Sequence, residues 1–244
     1  TATRMCPVFK ATRDETAAPK AKANILRALI SGAIDSQSIY EETFQNVINK
    51  CIACGSCLYE CPSNVNIPKL AMEAKGIYAA KFGPGFGNKL ASNCDLLGKY
   101  THKIGPLVKT MMKLKANRKV LEYITGITAE RPFVAFDGKS LFDRAKQRVF
   151  QRGGDLKVMY FSGCYAGYMN PAVGDAALDV LEALGCEVHL PEQYCCGIPL
   201  MSKGMPDDAK KRIVKNLECW GKLAKEVDHI VVTCSSCGLT LLKE

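Results

Sequence analysis

Apolar residues recur three and four positions apart over residues 21–31 (AKANILRALIS) and 39–49 (IYEETFQNVIN), the spacing of amphipathic helices. A third helix is predicted through residues 68–82 (PKLAMEAKGIYAAKF). The segment CIACGSCLYECP lies between the second and third helices. Helices on both sides of a cysteine run predict a helical, ferredoxin-like domain over residues 1–80. The glycines and proline of FGPGFGN, residues 82–88, predict a turn. Its loose Gly-x-Gly-x-Gly lacks the preceding strand that a dinucleotide site requires.

Residues 81–155 read as a helical connecting arm with few breaks, at Gly126, Pro132 and Gly153-Gly154. The pattern then changes. Apolar strand candidates occur at 157–161, 186–190 and 229–233, separated by helical stretches at 171–184 and 207–226. This alternation predicts a parallel βαβαβ unit over residues 156–244. Its cysteines fall at strand ends, and the carboxyl ends of strands are where open parallel sheets bind ligands.

Composition narrows the class. The chain has 244 residues, 48% hydrophobic and 23% charged, which suits an ordinary globular protein. No apolar run approaches the roughly 18–20 residues needed to span a bilayer, and the opening TATRMCPVFK has no signal-peptide core. A cytoplasmic protein is expected, with the option of a peripheral position on the inner face of the membrane. The start at Thr1 and the stop soon after a cysteine motif suggest a fragment cut at both ends. The net charge of +9 is uneven. Residues 99–152 hold 13 Lys/Arg against 4 Asp/Glu, and the remainder holds 20 of each. That stretch suits either a solvated surface or docking on anionic lipid. Charge alone also admits nucleic acid, but no aromatic reader module accompanies it, so no nucleic-acid partner is expected.

Thirteen cysteines are many for such a chain, and their clustering favours metal-bound thiolates over disulfides. Cys51-x2-Cys54-x2-Cys57-x3-Cys61-Pro62 has the bacterial ferredoxin spacing. A short loop points three thiolates at one cubane, and the fourth cysteine is carried off by the following helix. In two-cluster ferredoxins that fourth cysteine serves the other cluster. Cys51, Cys54 and Cys57 then need a ligand from elsewhere, and Cys6, also followed by proline, is the candidate. Cys61 would serve a [4Fe–4S] cluster whose other cysteines precede Thr1. Zinc is the alternative on these thiolates, but it favours two separated Cys-x2-Cys knuckles.

A second group comprises Cys164, Cys195-Cys196-Gly197 and Cys234-x2-Cys237. If the three strands are neighbours, five thiols converge. Five exceed the needs of zinc, so an iron–sulfur cluster of unusual nuclearity is expected. Buried thiols plus a zinc knuckle is the alternative. Gly197 would let backbone pass close to the group. Cys94, Cys186 and Cys219 read as small buried hydrophobes. His102, His189 and His229 show no carboxylate or serine at a telling spacing. No nucleophile–base pair appears, so no catalytic residue is assigned.

The segments MCPVFKATRDE, CIACGSCLYECPSNVNIPK, YFSGCYAGYMNP, PEQYCCGIPL and VVTCSSCGL resemble the cysteine-rich CCG iron–sulfur oxidoreductase superfamily. That superfamily includes the iron–sulfur subunits of glycolate oxidase, anaerobic glycerol-3-phosphate dehydrogenase and heterodisulfide reductase. Members usually carry two CCG motifs, and this chain shows one. The resemblance implies a relay. A FAD-bearing partner subunit or fused domain oxidises a hydroxylated substrate, a 2-hydroxy acid such as glycolate or D-lactate, or glycerol-3-phosphate. It passes electrons through [4Fe–4S] clusters toward quinone or another carrier. The resemblance also implies a noncubane cluster or zinc on the CCG cysteines. The alternative function is reduction of a disulfide at a CCG-bound cluster, as in the heterodisulfide reductase branch.

Overall fold

The computed structural model describes residues 6–131, 138–150 and 153–243. The turn signal at Pro132 and the parts of the basic stretch at 132–137 and 151–152 lie outside the described residues. The chain forms two compact units. Residues up to Gly85 with Leu200–Pro206 make the first, and Phe86–Pro199 with Asp207–Glu244 make the second.

In the first unit, α1 (Pro7–Thr12), α2 (Pro19–Ile30), α3 (Glu42–Asn49), α4 (Ser56–Tyr59) and α5 (Ile67–Phe82) surround the first cysteine group. Proline stands in the first turn of α1, α2 and α5, where its missing N–H costs nothing. Asn66 caps α5 by accepting from the Lys69 amide. The apolar stripes of α2, α3 and α5 meet in a core of Leu26, Ile39, Phe44, Ile48, Ala71 and Ala74. Each large side chain buried there contributes about 1.5–3 kcal/mol. The helical pattern over 39–49 is broken in two, a 3₁₀ turn at Ser36–Tyr40 followed by α3.

The second unit begins with helices. These are α6 (Phe86–Ser92), α7 (Cys94–Thr101), α8 (Gly105–Met111), α9 (Lys115–Thr125) and α10 (Leu141–Ala145). The turn predicted over 82–88 therefore ends early, because Phe86–Asn88 start α6. Close packing explains Gly87: a Cβ there would lie 1.8 Å from the Thr125 carbonyl oxygen. The described residues between 86 and 155 pack in the same unit as the sheet. Arg144 pairs with Asp175 at 2.9 Å and Arg148 with Glu182 at 2.7 Å, joining the α10 region to α11 (Pro171–Ala183).

The sheet has three parallel strands, β1 (Lys157–Phe161), β2 (Glu187–His189) and β3 (His229–Val232), in the order β2-β1-β3. The central strand is buried on both faces. Val158 and Tyr160 join Leu178, Leu181 and Val188 on one side, while Met159 and Phe161 join Trp220, Cys195 and Cys196 on the other. This explains why KVMYF runs apolar without alternation. A four-residue helix, α12 (Ile198–Met201), follows the Cys195-Cys196 loop. A 15-residue helix, α13 (Pro206–Trp220), precedes β3, and α14 (Ser235–Lys243) follows it. The chain leaves central β1 for β2 on one side and then returns to β3 on the other. The carboxyl ends of β1 and β3 thus form a topological switch point.

Candidate functional site

The first cysteine group is built by a loop that cannot continue as helix. Ala53 and Gly55 both adopt left-handed backbone, with φ of 56° and 78°. An alanine in that region costs roughly 1–2 kcal/mol, so the surrounding fold imposes this turn. It brings Cys51, Cys54 and Cys57 to one pocket, which Cys6 lines from the start of α1. Burial, together with the nearby Cys51 and Cys54, pushes the Cys57 thiol up from its ordinary value. Cys61 lines no part of this pocket. It faces a separate concavity of about 350 Å³, shared with Cys6 and Cys57, and accepts from the Val65 amide at 3.4 Å.

Two buried lysines attend the first group. Lys22 is 2% exposed, lines the four-cysteine pocket and donates to the Ala17 carbonyl at 2.7 Å. Lys75 donates to the Cys51 carbonyl at 2.7 Å and to the Ser202 carbonyl at 3.2 Å. Burial pulls both ammonium groups down, Lys75 to about 8, while the nearby cysteine sulfurs pull them back up. A buried ammonium calls for a buried counter-charge. A thiolate-ligated cluster is net negative, so the donor set and its lysines fit such a group.

The second group gathers at the switch point. Cys164 follows β1, Cys195 and Cys196 follow β2, and Cys234 and Cys237 follow β3. Their sulfurs form a contact chain in the order Cys164, Cys195, Cys196, Cys237, Cys234. A Cβ at Gly163 would come within 2.9 Å of the Cys237 sulfur. Gly197 sits at φ 97° and packs against Ala209, whose Cβ lies 3.3 Å from where a Gly197 Cβ would be. Glycine is thus required there by conformation and by packing on α13. The thiols share protons unequally. Donation from Cys195 holds Cys164 low, and donation from Cys195 and Cys237 holds Cys196 low. The donors Cys195 and Cys237 are pushed up by those same bonds and by burial. Two of the five, Cys164 and Cys196, are held toward thiolate, and a set of five soft sulfurs suits the chemistry of an iron–sulfur cluster or zinc. Among the described residues, no three His, Cys, Asp or Glu side chains stand at mononuclear metal-binding geometry.

One buried carboxylate braces this second group, and the sequence reading did not single it out. Asp95, 4% exposed, accepts from the Cys195 amide at 3.2 Å and from Arg212 Nε at 2.8 Å. Asn216 reinforces the loop by accepting from the Tyr194 amide at 2.7 Å and donating to the Cys195 carbonyl at 3.3 Å. A hundred residues separate Asp95 from Cys195, so no local spacing announces the pair.

The structure places four isolated cysteines and histidines differently from the sequence reading. Of the isolated cysteines, only Cys186 is buried. Cys219 is exposed, on the outer face of α13. Cys94 is half-buried and close enough to Cys164 for the two to interact electrostatically. His102 does have carboxylate and serine neighbours, because folding brings Asp143 to 2.9 Å from its Nε2 and Ser140 onto that carboxylate. His189 lies 3.2 Å from Glu187.

The two cysteine groups coincide with two known protein families. Residues 2–66 match the 4Fe–4S dicluster domain, and residues 158–242 match the cysteine-rich domain CCG. The chain carries a 4Fe–4S dicluster domain and a CCG domain. It is 29% identical over 187 residues to the C subunit of the anaerobic glycerol-3-phosphate dehydrogenase of Escherichia coli, across 75% of this chain and 47% of that protein. It is 27% identical over 243 residues to the B subunit of the fumarate reductase (CoM/CoB) of Methanothermobacter marburgensis, across 98% of this chain and 41% of that protein. It is also 25% identical over 256 residues to the probable glycolate oxidase iron–sulfur subunit of Bacillus subtilis, across 97% and 55%. The chain thus spans about half the length of such curated relatives. No solved structure matches it. The dicluster domain contains the first cysteine group and the CCG domain the second.

Burial pushes Cys94, at the edge of the CCG group, up to about 11. The thiolate is the reactive form. In the cluster-free chain at about pH 8, iodoacetamide is therefore expected to label exposed Cys54 and Cys219 before Cys94. Labelling of Cys94 should be slow and should rise about tenfold per pH unit toward pH 11. Peptide mass mapping checks this, and equal labelling of all three cysteines at the lower pH would contradict it.

Proposed function

We propose that this chain is the electron-transfer component of an oxidoreductase. In this reading it accepts electrons from a FAD-bearing partner that oxidises a small hydroxylated substrate, and passes them on to quinone or another carrier. The observation that carries the proposal is the meeting of Cys6, Cys51, Cys54 and Cys57 at one pocket beside a buried lysine. The relatives named for glycerol-3-phosphate dehydrogenase and glycolate oxidase support the substrate class.

In this reading, Cys6, Cys51, Cys54 and Cys57 hold one [4Fe–4S] cluster. Cys61 contributes to a second. The five CCG cysteines hold a further iron–sulfur cluster, with zinc as the alternative. A bound cluster supplies one-electron steps, so the two-electron oxidation of an organic substrate is split into single transfers. The chain's own residues set the conditions for this. Lys22 and Lys75 place positive charge beside the first group, which favours the reduced, more negative state. The left-handed turn at Ala53 and Gly55 fixes the sulfur positions before binding. Asp95, Arg212 and Asn216 hold the Cys195 loop in place, the kind of outer support that tunes a metal site.

Metal analysis with EPR of the reduced, anaerobically reconstituted chain tests the proposal. About eight iron and eight sulfide per chain with two signals supports clusters at both groups, since each holds four of each. About four of each with one zinc assigns zinc to the CCG cysteines. Zinc alone with no reducible signal refutes the relay. Substituting Lys22→Met removes one buried positive charge and is expected to lower the potential of the first cluster by tens of millivolts. Potentiometric EPR titration measures this, and an unchanged potential would show that Lys22 has no electrostatic role.

A membrane-surface position on the cytoplasmic side is part of the proposal, and α9 supports it. Lys115 and Lys119 are exposed there, and Lys113 just before it, beside exposed Leu114, Val120, Tyr123 and Ile124. No helix among the described residues is long and apolar enough to cross a membrane. Each such cation is worth about 1 kcal/mol near an anionic surface. Arg118 is half-buried and does not belong to this face. Charge reversal at Lys113, Lys115 and Lys119 is expected to release the chain from anionic liposomes. Co-sedimentation equal to wild type would rule out lipid docking.

A further inference from the structure

The CCG-containing unit also holds a cavity of about 510 Å³ with no cysteine in its wall. That volume lies within the range of small-molecule sites. Phe142, Phe150 and Leu190 supply apolar surface, and Tyr168 lies among them, 7% exposed. The Tyr168 ring stands 5.5 Å from Phe142 and 6.4 Å from His102, centre to centre.

The polar groups of the cavity are placed unequally. The Tyr168 ring is buried, while its hydroxyl, which has no hydrogen-bond partner among the described residues, is open to water in the cavity it lines. Burial pushes it up to about 12, so it remains a proton-bearing donor at neutral pH. His102 Nδ1 lies 2.9 Å from the Gly98 carbonyl, which makes Nδ1 the protonated nitrogen. Its Nε2 is 2.9 Å from Asp143, out of line for a hydrogen bond between them. The charges at the rim cancel: Lys99 pairs with Glu192 at 2.6 Å and Lys146 with Asp143 at 3.4 Å. A cavity so balanced gives an anion no advantage. Its aromatic and apolar wall suits a neutral, flat, conjugated body, and an acceptor oxygen on that body can replace water on the Tyr168 hydroxyl.

The position of the cavity relates it to the redox site. Tyr168 is four residues beyond Cys164, on the short helical stretch Tyr165–Met169. Gln193, another wall residue, precedes Cys195 by two positions. Its side chain donates to the Tyr160 carbonyl at 3.2 Å and accepts from the Gly163 amide at 3.2 Å. The two segments that form this wall are therefore the segments that carry Cys164 and Cys195.

We propose that this cavity binds the headgroup of a quinone-type electron acceptor, with the Tyr168 hydroxyl donating to one ring carbonyl oxygen. The acceptor role rests on the relay reading given above; the binding does not. Conversion of the quinone to its quinol takes two electrons, delivered singly by the reduced chain. It also takes two protons from solvent, one onto each carbonyl oxygen.

The test is equilibrium binding of a tailless naphthoquinone to the oxidised, cluster-loaded full chain, measured by titration calorimetry. Stoichiometric binding is expected in the wild type. Tyr168→Phe should weaken it about tenfold, the worth of one hydrogen bond. Ala145→Trp, which fills the cavity from α10, should abolish it while iron content and EPR signals stay as in wild type. No binding, or equal binding by wild type and both variants, overturns the site. Because no electron flows in this measurement, binding that persists in a chain whose clusters a flavoprotein cannot reduce would refute the relay and leave the site standing.

Discussion

The structure depends above all on concentrating cysteine sulfur inside folded protein. Thiolates repel one another and lose hydration when buried, so each cluster of them needs compensation built into its surroundings. The first group meets this need with lysines, Lys22 at the pocket and Lys75 on the Cys51 carbonyl. The second group meets it by sharing protons along the row of five sulfurs and by locking one loop onto Asp95 and Arg212. In the reading proposed above, a bound metal component would neutralise the sulfur further, and folding of both groups would be linked to cofactor loading.

The sheet explains how five cysteines from three distant segments come together. A parallel sheet ordered β2-β1-β3 sends its connections to opposite sides of the central strand. The loops leaving β1 and β3 then splay apart and leave a crevice. Burial of β1 on both faces fixes its position, because a register slip would exchange Val158 and Tyr160 with Met159 and Phe161 between two different packing layers. The same loops that gather the sulfurs form one wall of the quinone-sized cavity. In this arrangement a redox group and its acceptor would share one support.

The basic excess of residues 99–152 separates into two classes of charge once the fold is known. Arg144, Arg148 and Lys99 are engaged with Asp175, Glu182 and Glu192 and serve packing within the unit. Lys113, Lys115 and Lys119 remain on an exposed face with apolar neighbours. Charges of this second kind are available to a surface, and net charge alone does not distinguish the two.

The sequence by itself determined what is local. The spacing of Cys51, Cys54, Cys57 and Cys61 is written within one short run of chain, and the strand at 157–161 is marked by an unbroken apolar run. The boundaries of α5 and α11 follow from prolines and periodicity for the same reason: their causes lie within one or two turns of chain. The tertiary structure decided everything that joins distant segments. It paired Asp95 with Cys195, moved Asp143 beside His102, exposed Cys219 and left the Tyr168 hydroxyl without a partner in a cavity. It also showed Gly87 to be a packing residue and not part of a turn. These relations arise from how helices and strands pack. A contact across a hundred residues leaves no period, spacing or composition in a single sequence from which it could be read.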